Sequence, residues 1–382
     1  MKQLRVGVIG AWGRGSLAVN WHQPRGRSIV VAGADVSEKS LEEFRRHINK
    51  DAFTTRDYRE LLKRKDVDAV AITSPDWTHE KYAVAALRAG KHVYCEKPLA
   101  ITIKGCDHIL LEAKKTGKKL MIGFNMRYMN FFQKMRELIR QGVIGDVKAV
   151  WVRHFVGMGG TFYYHDWHAN RRYSTGLLLQ KGSHDIDMIH WLAGKYSVRV
   201  SAFGGLDYYG GSKPDNLRCR RCRLRKTCWE YDGPNRLCCF RKEVNVEDNN
   251  AVIMELEGGI KAAYLQCHFT PEYWRNYTVI GTEGRIENMY DNAIMVKFRD
   301  GAKKFRKRSD TVIKLKEVKG DHAGADPDIC ADFVDYVLSG KKPLTSPVAG
   351  RQSVAVGCLA TESIRSGGKI LKIPSLPKGI KE

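Results

Sequence analysis

Residues 8–16 read Val-Ile-Gly-Ala-Trp-Gly-Arg-Gly-Ser, which places Gly10, Gly13 and Gly15 between an apolar run and a helical stretch. Glycines at such a junction permit a tight turn and bring backbone N–H groups close to a pyrophosphate, and the start of the following helix adds positive potential. Gly10, Ala11, Trp12, Gly13, Arg14 and Gly15 are therefore candidates for a dinucleotide cradle. The pattern G-x-G-x-x-G finds its first and third glycines in Gly10 and Gly15, but Trp12 stands where the second belongs. Asp35 ends the next apolar run, 25 residues beyond Gly10. A carboxylate there accepts hydrogen bonds from the adenosine ribose and repels a 2′-phosphate, which favours NAD over NADP.

Two titratable groups lie where hydride chemistry needs them. Pro75 and Lys97 each follow a further apolar run, at the edge where parallel sheets bind ligands. An alcohol that gives hydride to NAD must also lose its hydroxyl proton, and a lysine near a cation or partly desolvated can take it as general acid/base. His184 falls in the first turn of a helix starting near Gly182, so its ring can face a cleft, with Gln180 and Lys181 just before it. Asp185 and Asp187 read as dipole partners or structural hydrogen-bonding groups. The stretch FYYHDWHANRRY (162–173) is dense in aromatics, histidines and arginines. Trp167, His168 and Arg172 suit a polyhydroxylated or carboxylated ring, though a loop packed on another subunit explains the stretch equally well.

Five of the ten cysteines form a separate cluster, Cys219-x2-Cys222-x5-Cys228-x9-Cys238-Cys239. Cys219, Cys222, Cys228 and Cys238 have the number and spacing for a tetrahedral structural zinc site, with Cys239 spare. Four sulfur ligands leave no open position for catalysis, and the spacing does not match ferredoxin iron–sulfur patterns. Free or partly disulfide-bonded loop thiols are the alternative. The other five cysteines are scattered singly, as in a reducing cytosol.

Elements to position these groups are legible in the apolar pattern. Runs at 4–10, 28–36, 67–75, 91–98 and 118–125 alternate with amphipathic stretches from about Ser16, after Ser37, over 79–90 and over 103–116. Buried strands alternating with helices predict a doubly wound parallel sheet. From about residue 146 the strands become longer and more polar: 147–156, 196–205, 249–259, 260–270 and 276–290. Several follow one another without helices, with ELEGGIK as a hairpin turn, which predicts a large, open, mostly antiparallel sheet in an α+β domain. Further helices are predicted at 130–141, 182–193, 326–339 and 350–366.

By residue 98 the sequence resembles the glucose–fructose oxidoreductase/inositol dehydrogenase/MocA (Gfo/Idh/MocA) family. The blocks that carry the resemblance are the glycine turn, ITSPDWTHEKYAVAALRAGKHVYCEKPLA (72–100), GFNMRY (123–128), STGLLLQKGSHDIDMIHWLAG (174–194) and HAGADPDICADFVDYV (322–337). It implies a Rossmann domain over 1–125 and a substrate and oligomerisation domain over 126–382, the latter carrying a Cys-rich insert at 215–242. It further implies NAD(P) at the cleft and sheet-mediated homo-oligomers, dimers or tetramers. By the same resemblance Thr73, Ser74, Pro75, Trp77 and His79 line the nicotinamide side, Glu96 and Lys97 sit beside the ring, and Asn125 lies near the cofactor. Arg127 and Tyr128 serve the junction between domains, with Arg127 counted on the substrate side. The family's usual aspartate four residues before the histidine is Gln180 here. Glutamine is no acid or base but can hydrogen-bond a hydroxyl, which leaves Lys97 and His184 as the titratable candidates. The implied activity is an NAD-dependent dehydrogenase of a sugar, sugar derivative or cyclitol. Redox-assisted glycoside hydrolysis is the alternative within the family, and the intact Glu96-Lys97-Pro98 argues against a non-catalytic regulator.

Composition bounds these readings. The 382 residues, 43% hydrophobic and 28% charged, can fill two ordinary cores, which excludes disorder and small-scaffold classes. No apolar run approaches the ~18 residues of a membrane span, and no secretory signal can be marked off, so a cytoplasmic enzyme is expected. The net charge of +23 raises nucleic acid as a partner. Segments 211–245 and 297–319 carry +6 and +7 of it, and neither holds a helix-turn-helix, an RRM signature or a finger with paired histidines. A small-molecule substrate is therefore expected rather than nucleic acid.

Overall fold

A computed structural model describes residues 3–290, 293–301, 304, 309–316, 318 and 321–382. The chain gathers into two compact units, one of residues 1–129, 318–354 and 375–382, the other of residues 130–317 and 355–374. Much of the basic segment 297–319 lies outside the described residues. No helix among the described residues is long and apolar enough to cross a membrane.

The first unit is built on a parallel sheet of β1 (Leu4–Ile9), β2 (Ser28–Ala34), β3 (Phe53–Thr55), β4 (Ala69–Ile72), β5 (His92–Cys95) and β6 (Leu120–Ile122), in the order β3-β2-β1-β4-β5-β6. The order reverses between β1 and β4, and a crevice opens at such a reversal beyond the carboxyl ends of the strands. The four residues of β4 are all buried, as a strand covered on both faces requires. Ser37 caps the helix Glu38–His47 by accepting from Ser40 N–H, and Thr102 caps Ile103–Thr116 by accepting from Gly105 N–H. The glycine turn leads into a short helix of 3₁₀ geometry, Gly13–Asn20. The helix Ala325–Ser339 supplies Phe333 to this core, where it meets Trp21 and Tyr94 edge-on, and Trp21 Nε1 donates to the Cys330 carbonyl at 3.0 Å.

The second unit contains a mixed sheet. Its strands are β7 (Val147–Phe155), β8 (Ser197–Gly205), β9 (Asn249–Leu256), β10 (Lys261–Cys267), β11 (Trp274–Gly281), β12 (Gly284–Tyr290), β13 (Ala293–Phe298), β14 (Thr311–Lys314) and β15 (Leu371–Lys372). Their order is β14-β13-β12-β11-β7-β10-β9-β8-β15. The pairing of β7 with β10 is parallel and the other pairings are antiparallel. The apolar stretch 276–290, expected as one strand, is two, because Thr282 and Glu283 turn the chain so that β12 folds back on β11. Alternation assigns the two faces: Val150, Val152 and His154 of β7 are buried, while Trp151 between them is 52% exposed.

Candidate active site in two parts

In the first unit the carboxyl ends of β1, β2 and β4 surround a cleft of about 570 Å³ lined by Gly10, Asp35, Val36, Ser74, Pro75 and Trp77 among others. The turn is held by backbone geometry. Gly10 has φ +90°, and a Cβ there would lie 2.5 Å from Ser74 N; a Cβ on Gly15 would lie 2.1 Å from the Gly10 carbonyl oxygen. Trp12, by contrast, has φ −133° and ψ 177°, extended backbone open to any residue, and its ring stacks on His47 at 5.2 Å. The backbone conformation at position 12 therefore needs no glycine.

Asp35 is fixed by two backbone donors, Ala11 N–H at 2.9 Å and Ser37 N–H at 2.9 Å. Each carboxylate oxygen keeps a further lone pair for a ribose hydroxyl. Turn, carboxylate and cleft thus fit an NAD adenosine and pyrophosphate. Thr73 Oγ donates to the Gly10 carbonyl at 2.8 Å, tying β4 to the turn. His79 is buried with its ring nitrogens 2.7 Å from the carbonyls of Pro98 and Ser74, so it braces the two strand-end loops. The Lys97–Pro98 peptide is cis.

Arg14 and Glu96, both expected at the cofactor, belong to one ion network. Arg14 Nε donates to Glu96 at 2.7 Å, and its Nη atoms donate to Asp326 at 2.6 and 3.0 Å. Asn125 donates to Asp326 at 3.2 Å, and Glu96 also accepts from Lys97 N–H at 3.1 Å. Burial alone would raise the Asp326 pKa, but the bonds from His322 and Arg14 hold it well below the usual carboxylate range. Arg127 is buried and donates to the Leu344 carbonyl at 2.9 Å, and Tyr128 donates to Asp332 at 2.6 Å.

In the second unit the helix Gly182–Ala193 begins with half-buried His184, preceded by half-buried Lys181 and buried Gln180. Lys181 Nζ lies 5.7 Å from the Tyr163 ring and 5.9 Å from the Tyr273 ring. Asp185 is fully buried and accepts from Tyr264 OH at 2.8 Å and from Tyr277 OH. It lies 2.9 Å from His154 Nδ1 and 3.8 Å from Arg275 Nε, which donates to His154 Nε2 at 3.1 Å. Burial would push this carboxyl's pKa up, but Arg275 and His154 override it and hold Asp185 ionised. Burial, reinforced by Arg275, lowers the His154 pKa to about 3, so its imidazole is neutral near pH 7. Sequence reasoning brought forward Lys181 but passed over His154 and Arg275, which stand on strands as ordinary polar residues, and Tyr273, which is exposed just before β11. The signal for His154 and Arg275 was a polar side chain at a strand position that alternation assigns to the buried face.

The aromatic loop 162–173 is tied to the Cys-rich insert of the same chain. His165 is buried between the carbonyls of Leu237 and Glu230, and Arg241 donates to the carbonyls of Tyr164 and Asp166 at 2.6 and 3.0 Å. His168 lies 2.5 Å from Asp166 and stacks on Trp167 at 3.6 Å, while Arg172 is exposed.

All five clustered cysteines and His165 line a cavity of about 20 Å³. Among the described residues, however, no group of three or more His, Cys, Asp or Glu side chains is arranged to hold a metal ion. The zinc quartet of Cys219, Cys222, Cys228 and Cys238 is thus gathered but not set as ligands. Burial raises the pKa values of Cys219 and Cys238. The described residues do not support the expected zinc.

A doubly wound unit with a glycine turn and a β2 carboxylate, accompanied by a mixed-sheet α/β unit, defines an NAD-binding oxidoreductase class. Residues 4–124 match the family model described as "Oxidoreductase family, NAD-binding Rossmann fold", and residues 136–372 match its partner, "Oxidoreductase family, C-terminal alpha/beta domain". The chain belongs to the Gfo/Idh/MocA oxidoreductase family. It is 27% identical over 345 residues to YteT of Bacillus subtilis, covering 78% of this chain and 79% of that one. It is 30% identical over 203 residues to a myo-inositol 2-dehydrogenase of Thermotoga maritima, covering 53% and 59% of the two chains. In fold it is similar to an oxidoreductase domain protein from Kribbella flavida, with a TM-score of 0.79 at 21% identity over 98% of this chain and 100% of that one.

Proposed function

We propose that the protein is an NAD-dependent dehydrogenase that moves hydride between nicotinamide and a hydroxyl-bearing carbon of a sugar, sugar derivative or cyclitol. The observation that carries this reading is Asp35, anchored by two backbone donors at the cleft beside a turn only glycine can make. The inositol dehydrogenases among the relatives support the substrate class. Bound NAD supplies the hydride acceptor, and Thr73, Ser74, Pro75, Trp77, Glu96 and Asn125 shape its nicotinamide side. Lys97 takes the hydroxyl proton as general acid/base, and His184 orients that hydroxyl. Gln180, Lys181, Trp167 and His168 hold the substrate. Redox-assisted glycoside hydrolysis has no observation in its favour and is not proposed. The reading places the enzyme in the cytoplasm as a homo-oligomer. Supporting the latter is the apolar side of the mixed sheet, where Trp151, Ile253 and Leu265 are 52%, 66% and 45% exposed on adjacent strands.

The test is incubation with NAD and a panel of sugars and cyclitols, which should build up NADH absorbance. Lys97→Met should lower turnover at least about a hundredfold. Full turnover by that variant would sink the mechanism. For the oligomer, Ile253→Glu should reduce the mass measured by light scattering; an unchanged mass would show that this face is not the contact.

A further inference from the structure

We propose that the substrate is a glycoside of more than one ring, and that a cavity between the aromatic loop and the Cys-rich insert holds the sugar ring that does not react. The proposal rests on the dehydrogenase reading and narrows its substrate from single rings to oligosaccharides. The cavity, of about 420 Å³, is lined by Asp166, Trp167 and Asn170 of the loop, by Arg218 and Asn235 of the insert and by Glu243 just beyond it, among others. Its volume lies within the roughly 300–1,000 Å³ of small-molecule sites. It shares no residue with the cofactor cleft.

Trp167 supplies a platform. His168 stacks on it with the ring planes 23° apart, which holds the indole in place, and the indole lines the cavity. The C–H side of a pyranose packs on the electron-rich face of such a ring. The polar groups around it are of both kinds. Asp166 accepts from His168 through Oδ1, and its Oδ2 has no partner among the described residues. Glu243 Oε1 accepts from Asn170 at 2.8 Å, while its Oε2 is 3.6 Å from Arg241 Nε, too far for a hydrogen bond.

Donors stand beside these acceptors. Arg218 donates through one Nη to the Asn235 carbonyl, and its remaining N–H groups have no partner among the described residues. Asn235 Oδ1 accepts from Arg220 at 3.0 Å and leaves its amide N–H groups open. A sugar hydroxyl both donates and accepts, so it uses a mixed set of carboxylates, amides and guanidinium. A phosphate would meet two carboxylates, and an apolar ligand would leave every one of these groups unpaired. A path joins the cavity to the reacting end of the same unit. His168 packs edge-on against Tyr163 at 5.5 Å, and Tyr163 lies 5.7 Å from Lys181 Nζ, three residues before His184. One sugar ring at Lys181 leaves Trp167 unused, and a second ring linked to it engages both.

The experiment compares NADH formation from glucose, galactose and myo-inositol with that from cellobiose, maltose, lactose and melibiose, with hexose phosphates as a third arm. The native protein should favour at least one disaccharide over the single rings by about tenfold or more in kcat/KM, the worth of one stacked ring with its hydrogen bonds. Trp167→Ala should cut that ratio by about tenfold, and Trp167→Phe should restore most of it. Arg218 is exposed on the insert, so Arg218→Met reports on the cavity even where Trp167→Ala fails to fold, and it should cut the ratio by about threefold. Equal use of single rings and disaccharides, a ratio unmoved by Arg218→Met, or preference for the phosphates would overturn the proposal. If no member of the panel yields NADH, the dehydrogenase reading fails on its own. The proposal is then decided by calorimetry of the four disaccharides on the NAD-loaded protein: binding weakened in Arg218→Met upholds it, and no binding overturns it.

Discussion

One methyl group at residue 15 would meet the Gly10 carbonyl oxygen at 2.1 Å, well inside any real contact. The turn cannot absorb this by a side-chain shift, because the obstacle is backbone. Gly15→Ala should therefore weaken NAD binding by at least about tenfold, since the donors of the turn move off the pyrophosphate. Trp12→Gly should change NAD affinity by less than about threefold, because residue 12 already has an extended conformation that needs no glycine. Fluorescence titration of both variants checks the pair, and the reverse ranking would show that the cradle is wrongly located. The pattern in the sequence does not show which positions of the turn demand glycine. That distinction lives in φ, which spacing alone does not reveal. The partners of Arg14 were equally out of reach, since Asp326 lies 312 positions away and pairs with it only once the chain has folded.

At the scale of elements, the apolar runs and caps were enough to locate most of the first sheet and its helices. Ser37 and the helix it caps are a local matter, settled within a few residues. The second sheet was less legible: β13, β14 and β15 went unpredicted, β14 being a four-residue strand with exposed positions and little hydrophobic pattern. The role of the Cys-rich insert was not legible at all, because its bonds to the aromatic loop run mostly through backbone carbonyls, which no residue pattern encodes. Arg241 is the centre of that clamp. It is fully buried and donates to the carbonyls of Tyr164, Asp166 and Cys238. Arg241→Leu keeps much of the volume but strands those three acceptors, so unfolding free energy should fall by about 3 kcal/mol or more. Limited proteolysis should then cut within 160–173 faster than in the native protein. Denaturation and cleavage unchanged from the native protein would mean that the insert does not hold the loop.

For the whole molecule, the part of the +23 charge that lies in the described insert sits at the surface. Most lysines and arginines of 211–245 are exposed on the insert. Two buried histidines make stability respond to pH. His154 has its pKa lowered to about 3 from 6.5, chiefly by burial, and His268 is driven well below 6.5 by burial, with His154 and Lys181 adding to it. Both are neutral when folded, whereas their unfolded counterparts take up protons as pH falls below 6.5. Their contribution is therefore fully present above that pH and declines below it, by up to about 1.4 kcal/mol per pH unit for each ring. Asp185, with a depressed pKa, acts in the same sense at lower pH: its stabilisation is present above the ordinary carboxylate range and lost as pH falls through its folded value. Urea denaturation should accordingly show stability dropping between pH 7 and pH 5. His268→Phe removes one of these rings at a site without hydrogen bonds to lose, and it should make that drop smaller by about 2 kcal/mol. A drop of undiminished size in the variant would mean that His268 is protonated in the folded protein and that its nitrogens are satisfied from solvent.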